Sequence, residues 1–186
     1  PIIGRKYSIF SDPTDGVEDP FSTVVMDLRT KEFVAMAHGK VPVDEVALVH
    51  DSLVRVYNNA PYSYEVNASG RTMVTILKQL GTPGIVPRRD VAGNIVHDKV
   101  GWYTTEPLKK QMLSDWSLAI FRREPTIHDE DCLDEHQEFI RLPNGKFSTK
   151  LHDDWIMACA GCWQIAKYIH LDTDYRVSSM TYGRKE

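Results

Sequence analysis

Apolar and polar positions along the chain spell out a succession of strands and helices. Lys6 to Asp12 reads as a first strand, with Tyr7, Ile9 and Phe10 supplying its apolar bulk. Two apolar runs, Thr23 to Leu28 and Glu32 to Ala37, are joined by Arg29-Thr30-Lys31 and continue it as a hairpin. The chain therefore opens on three antiparallel strands. From Pro42 to Asn59 the period changes. Val46, Leu48, Val49, Leu53, Val54 and Tyr57 fall near helical spacing, and Asp44 and Glu45 lie beside the positive helix end. Pro61 to Val66 is a short strand. A helix from about Arg71 to Leu80 carries Met73, Ile76, Leu77 and Leu80, and Gly81 closes it.

The stretch from Thr82 to Tyr103 breaks this rhythm. Pro83, Gly84, Pro87, Gly93 and Gly101 make it an exposed, mobile excursion, with a hairpin over Val91–Val96 turning at Gly93-Asn94. Thr104-Thr105-Glu106-Pro107 starts a helix that runs to about Phe121. Thr126-Ile127-His128 reads as an edge strand. Asp129 to Ile140 holds six acids and reads as a helix with a solvated acidic face, Leu133 and Phe139 being its inner contacts. A polar turn region spans Leu142–Lys150. His152-Asp153-Asp154 then opens a segment apolar almost all round, from Trp155 to Ile169, which predicts a buried helix. The sum is an α/β domain: a sheet of three antiparallel strands plus the Pro61–Val66 strand, with helices on its faces. Residues 1–170 form the domain and residues 171–186 a polar tail.

Composition narrows the function classes. The chain has 186 residues, 42% of them hydrophobic and 26% charged, which suits one globular domain. No apolar run approaches a bilayer span, and Pro1 to Lys6 is not a signal peptide. A net charge of −4 argues against a passive polyanion binder but is compatible with an enzyme that clusters acids around metal ions. Cys159 and Cys162 form a C-x-x-C pair inside an apolar helix, and Cys132 stands apart. Without a second ligand pair they read as buried core thiols in a reducing compartment, not as a zinc site. Trp102, Trp116, Trp155 and Trp163 are most simply core.

Three acidic positions sit at the ends of otherwise apolar elements. Asp12 ends the first strand, Glu65 ends the Pro61–Val66 strand, and Asp153-Asp154 opens the final helix. If the two strands are neighbours, Asp12 and Glu65 meet at one sheet end, and the final helix delivers Asp153 or Asp154 there. Each has a plainer reading. Asp12 before Pro13 suits a turn, and Asp153-Asp154 suits a helix N-terminus. Clustered carboxylates repel one another, and a divalent cation resolves the repulsion. All-oxygen ligation selects Mg2+ or Mn2+, and two such ions clamp the attacking water and leaving oxygen of a phosphodiester. Arg88, Arg89 and Lys99 in the excursion suit a nucleic-acid backbone or a solvated loop equally. Lys109-Lys110 reads as helix surface, and His152 as a helix-start contact or an orienting group.

Several short motifs carry a family resemblance. They are Asp12 with Gly16 and Asp19; Tyr64-Glu65-Val66-Asn67 with Gly70; Gly101-Trp102-Tyr103-Thr104-Thr105 before a lysine-bearing helix; and His152-Asp153-Asp154-Trp155-Ile156-Met157-Ala158. In this order they resemble the RNase H-like nuclease domain of the large terminase subunit of tailed double-stranded DNA bacteriophages. The resemblance covers roughly Tyr7 to Ile169. It implies a central mixed sheet, three antiparallel strands first and then parallel strands, with helices on both faces. It implies an endonuclease that cuts concatemeric viral DNA during packaging in the host cytoplasm. Asp12, Glu65 and Asp153 would be direct ligands of two ions, Asp154 a further ligand or its partner, and Asp19 an auxiliary acid. Gly16 would leave room for double-stranded DNA.

The resemblance further implies an ATPase motor domain, a portal and a small terminase subunit as partners of the full-length protein. This chain holds no G-x-x-x-x-G-K-[ST] loop, as expected of an excised nuclease domain. Two other readings fit the same acids. One is another RNase H-like nuclease, a Holliday-junction resolvase or transposase relative. The other is a non-catalytic DNA- or portal-binding module.

Overall fold

In a computed structural model, residues 1–16, 19–67, 69–142, 147–148 and 153–169 are described. The opening strands are β1 (Tyr7–Asp12), β2 (Phe21–Asp27) and β3 (Phe33–Gly39). After α1 (Val43–Val56) comes β4 (Tyr62–Tyr64). The four strands make one sheet in the order β3-β2-β1-β4. β1 runs antiparallel to β2 and parallel to β4. Among the described residues, the sheet continues beyond β4 as single parallel bridges, Tyr62 with Ile85 and Glu65 with Trp102. The sheet is therefore mixed, with its parallel side much reduced.

Period-2 alternation divides the strands between two cores. Tyr7, Ile9, Val25, Tyr62 and Tyr64 face α1 and α2 (Gly70–Leu80), where Val46, Val54, Met73 and Leu77 are buried. Phe10, Val24 and Met26 face the opposite layer, built from α3 (Glu106–Phe121), α4 (Glu130–Glu138) and α5 (Asp154–Ala166). α5 lies directly on β1. Gly161 makes this possible, because a Cβ there would stand 2.5 Å from the Phe10 ring. Ile156, Ala158, Cys159, Ala160 and Cys162 of α5 have no exposed surface, so the helix is enclosed almost all round, as its composition predicts.

Local chemistry sets the helix ends. The Thr105 hydroxyl accepts from the Leu108 N–H and caps α3, with Pro107 in the first turn. Asp129 caps α4 by accepting from the Cys132 N–H. Gly81 closes α2 in the left-handed conformation at φ 63°.

Several expected details differ. The excursion is a hairpin whose turn holds Gly93-Asn94 as expected, but its strands are β5 (Pro87–Arg89) and β6 (Ile95–Val100), so the first strand lies before the expected Val91–Val96 and the second runs past its end. The turn is wider because the Asp90 carboxylate captures both the backbone N–H and the side-chain amide of Asn94. The expected edge strand at Thr126–His128 shrinks to one bridge with Glu32. On α4 the inner residues are Cys132 and Glu135, while Leu133 is exposed. Of two short strands, β7 (Ile140–Arg141) precedes the expected Leu142–Lys150 turn region, while β8 (Phe147–Ser148) lies within it. The turn itself, His152 and the tail lie outside the described residues. Trp102, Trp116 and Trp155 are buried as expected, and Trp163 is half-buried.

Candidate metal centre at the end of the sheet

Asp12 is the last residue of β1 and shares the parity of Ser8 and Phe10, which face α5. Its neighbour Ser11 points the other way and locks the strand in place. The Ser11 hydroxyl lies 2.6 Å from Thr23 Oγ1 and 2.6 Å from His50 Nδ1. Burial pushes His50 down to about 3, so its ring is neutral and serves as a fixed hydrogen-bonding strut.

Parallel pairing of β1 with β4 places Ser11 opposite Tyr64, so Glu65 arrives beside Asp12. The Glu65 N–H donates to the Ser11 carbonyl at 3.0 Å. Two further features hold Glu65. The first is Gly70, at the start of α2: a Cβ there would run into the Glu65 carbonyl, so only glycine lets the helix begin so close. The second is Asn67, whose amide donates to Glu65 Oε1 at 3.2 Å and to the Thr104 carbonyl at 3.0 Å. Val66 and Trp102 complete the frame with a 2.8 Å backbone bond.

The third contribution comes from the N-terminus of α5. Asp153 stands at the cap position and Asp154 is the first helical residue. From α4, the Glu135 carboxylate accepts from the Ile156 N–H at 2.9 Å and so satisfies a donor of the first turn. Burial, with the nearby charge of Asp154, raises Glu135 to about 7 even though the Ile156 N–H opposes the shift. From α3, Lys109 Nζ donates to Asp153 Oδ2 at 3.0 Å. Glu135 did not stand out in the sequence, and Lys109, on the lysine-bearing helix of the resemblance, read by itself as helix surface. Both lie in charged stretches that read as solvated helix faces, and only the packing of α3, α4 and α5 turns them inward.

The electrostatics are those of acids crowded together in a buried place. Burial raises the Asp12 pKa well above the carboxylate range. The charge of Glu65 and a hydrogen bond between the two carboxyl groups push it further, and Asp154 and Asp153 add to the effect. Burial works against the Lys109 ammonium, yet Asp153, Glu65 and Asp12 outweigh it and hold its pKa above the usual lysine value. Adjacent acids that repel one another beside a lysine fit a divalent ion, which would relieve the repulsion. The donors are oxygen only, suited to hard cations.

No family model and no curated protein matches this sequence. Solved structures do match. The large terminase nuclease from thermophilic phage G20c with bound magnesium superposes with a TM-score of 0.68 at 17% identity, over 88% of this chain and 82% of that one. The manganese-soaked human cytomegalovirus terminase nuclease domain gives 0.59 at 14% identity, over 92% and 84%. A large terminase from a second thermophilic bacteriophage gives 0.59 at 12% identity, over 86% of this chain but 39% of that one. The fold is that of a large terminase nuclease domain. The RNase H-like architecture expected from the sequence is thereby borne out.

Within this terminase nuclease fold the other expected site residues occupy distinct places. Asp19 is exposed, a few residues ahead of Ser22, which pairs with Asp12 across the ladder, so it lies at the same sheet end. Arg88 is half-buried, and its guanidinium donates to the carbonyls of Gly101 and Val100. Arg89 donates to the Gly93 carbonyl and lies over the Tyr168 ring. Lys99 is exposed on β6. Gly16 has a structural reason different from the expected one: at φ 77° it passes against the Val41 backbone, where a Cβ would collide with the carbonyl.

Among the described residues, the tight group of potential metal donors is Cys132, His136 and Cys159. Its hydrogen bonds argue against a metal. Trp116 Nε1 donates to His136 Nε2 at 3.0 Å, so that nitrogen is an acceptor. The proton is then on Nδ1, which donates to the Cys132 carbonyl at 2.7 Å. The ring nitrogen facing the sulfurs therefore has no lone pair to offer. All three cysteines are free and buried, as the sequence suggested.

Proposed function

We propose that this domain is a divalent-metal-dependent endonuclease that cuts concatemeric double-stranded viral DNA during genome packaging in the host cytoplasm. The observation that carries the reading is the meeting of Asp12, Glu65 and the Asp153-Asp154 pair at one end of a sheet of terminase nuclease topology. The likeness to nucleases solved with magnesium, cobalt, zinc or manganese supports a divalent ion, and the oxygen-only donors here favour Mg2+ or Mn2+. In a longer protein the domain would work beside an ATPase motor, a portal and a small subunit.

Asp12, Glu65 and Asp153 would hold two ions, with Asp154 either a further ligand or a partner that supports Asp153. Bound there, such ions lower the pKa of water and neutralise charge on the leaving oxygen. The chain's own residues prepare the site. Ser11, Thr23 and His50 fix Asp12, Asn67 aims Glu65, and Glu135 secures the α5 N-terminus. Such preorganisation keeps the carboxylates from rearranging at the moment of reaction. Asp19 would act as an auxiliary acid from the rim. Arg88, Arg89 and Lys99 would lie along the DNA backbone.

The test is nicking of supercoiled plasmid in manganese. Wild type is expected to nick, and Asp12→Ala, Glu65→Ala and Asp153→Ala to lose at least about 100-fold in rate, more than a mere supporting partner is worth. Wild type that never nicks, or Asp12→Ala that nicks as fast as wild type, rejects the reading. Preference for branched over linear duplex would favour a resolvase-like activity instead. Manganese that fails to bind in calorimetry would favour a non-catalytic module.

A further inference from the structure

Lys109 is out of place for a surface lysine. It stands one turn into α3, directly after the buried Leu108, on a helix whose start is fixed by the Thr105 cap. Its side chain is about 36% exposed and turns toward the acids. The ammonium is 3.0 Å from Asp153 Oδ2 and close enough to Glu65 and Asp12 to respond to both charges. It therefore touches the α5 acid directly and lies within electrostatic range of the acids on the two strands. Its neighbour Lys110 is exposed.

We propose that Lys109 is the counterion the acids hold before divalent ions arrive, and that the same ammonium then bonds a non-bridging phosphate oxygen at the cut. The inference rests on the nuclease reading and adds a residue to it. A divalent ion taken up by Asp153 brings positive charge beside Nζ, so the ion and the ammonium compete for the same carboxylate. Lysine is suited to the exchange. It carries a compact point charge on a flexible four-carbon stem, and a small rotation moves it by several ångströms. The nearest anion then offered to it is the phosphate drawn to the ions. Lys109 would thus limit repulsion among the acids when no divalent ion is bound and lend a positive charge to the phosphate when ions are bound.

The experiment compares wild type, Lys109→Met, Lys109→Arg and Lys110→Met, first by calorimetric titration with manganese and no DNA. Lys109→Met is expected to bind manganese several-fold more tightly, because a competing charge is gone. Lys109→Arg and Lys110→Met should stay near wild type. A merely structural lysine would weaken metal binding on removal, not tighten it. The second measurement is duplex binding in calcium, under conditions without cleavage, across a salt series. Lys109→Met should reduce the salt slope by about one phosphate contact. Manganese affinity unchanged or weakened in Lys109→Met, or an unchanged salt slope, overturns the proposal while leaving the nuclease reading intact. Wild type that binds no manganese overturns both.

Discussion

At the scale of single residues, the site depends on groups that bind nothing themselves. Glu135 is the clearest. Its carboxyl is buried among α4 and α5 and raised to about 7, against an ordinary glutamate value near 4.5. The folded state therefore keeps its proton where the unfolded chain has lost it. The stabilisation is complete below about pH 4.5 and disappears as pH rises through about 7. Thermal melts of wild type should show this falling limb, and Glu135→Gln, which keeps an oxygen for the Ile156 N–H, should flatten it. An equal slope in the variant would assign the limb to another group. Asp12 belongs to the same scale. Its raised pKa reflects burial and like charge, so Asp12→Asn is expected to raise the melting temperature without metal while abolishing any rise on adding manganese. Of these residues, the acids at element ends were legible in the sequence, since an acid closing an apolar run is conspicuous. Glu135 was not, and Lys109 was visible only as part of a lysine-bearing helix. Glu135 lies in an acidic run and Lys109 in a lysine pair, and nothing local marks the member that turns inward.

At the scale of elements, α5 does the most positioning, and its close seat on β1 depends on Gly161. Gly161→Val should lift the helix from Phe10 and cost about 1–3 kcal/mol, read by urea unfolding. The same variant should bind manganese more weakly, because Asp153 moves with the helix. α3 offers a smaller lever. Thr105→Ala removes the cap on Leu108 and should cost about 1 kcal/mol. The strands and helices themselves were readable because their apolar periods of 2 and about 3.6 are long and clean. The hairpin limits and the Thr126–His128 segment were not. Their extent is set by contacts from outside the segment: the Asp90 carboxylate on Asn94, and the backbone of Lys31 and Phe33 on Thr126.

At the scale of the whole molecule, a net charge of −4 sets the terms for DNA. An acid cluster at the proposed cutting site repels phosphate, so duplex affinity should fall sharply when divalent ions are chelated and return on adding calcium or manganese. Filter binding with and without chelator measures it, and chelator-insensitive binding would place the DNA elsewhere. Metal should also stabilise the fold, by about 2.7 kcal/mol at a hundredfold excess over its dissociation constant. Among the described residues no helix is long and apolar enough to cross a membrane.

The amino-acid sequence by itself determined the element types, their order, and which acids close an apolar element, because these follow from periodicity and from the cost of an unpaired charge beside a core. Tertiary structure alone decided that β4 lies parallel to β1, which brings Glu65 beside Asp12. It also decided that three helices converge on one sheet face, which turns Lys109 and Glu135 from surface charges into parts of the site. Which charge faces inward is a property of packing between elements distant in the chain, and no local pattern encodes it.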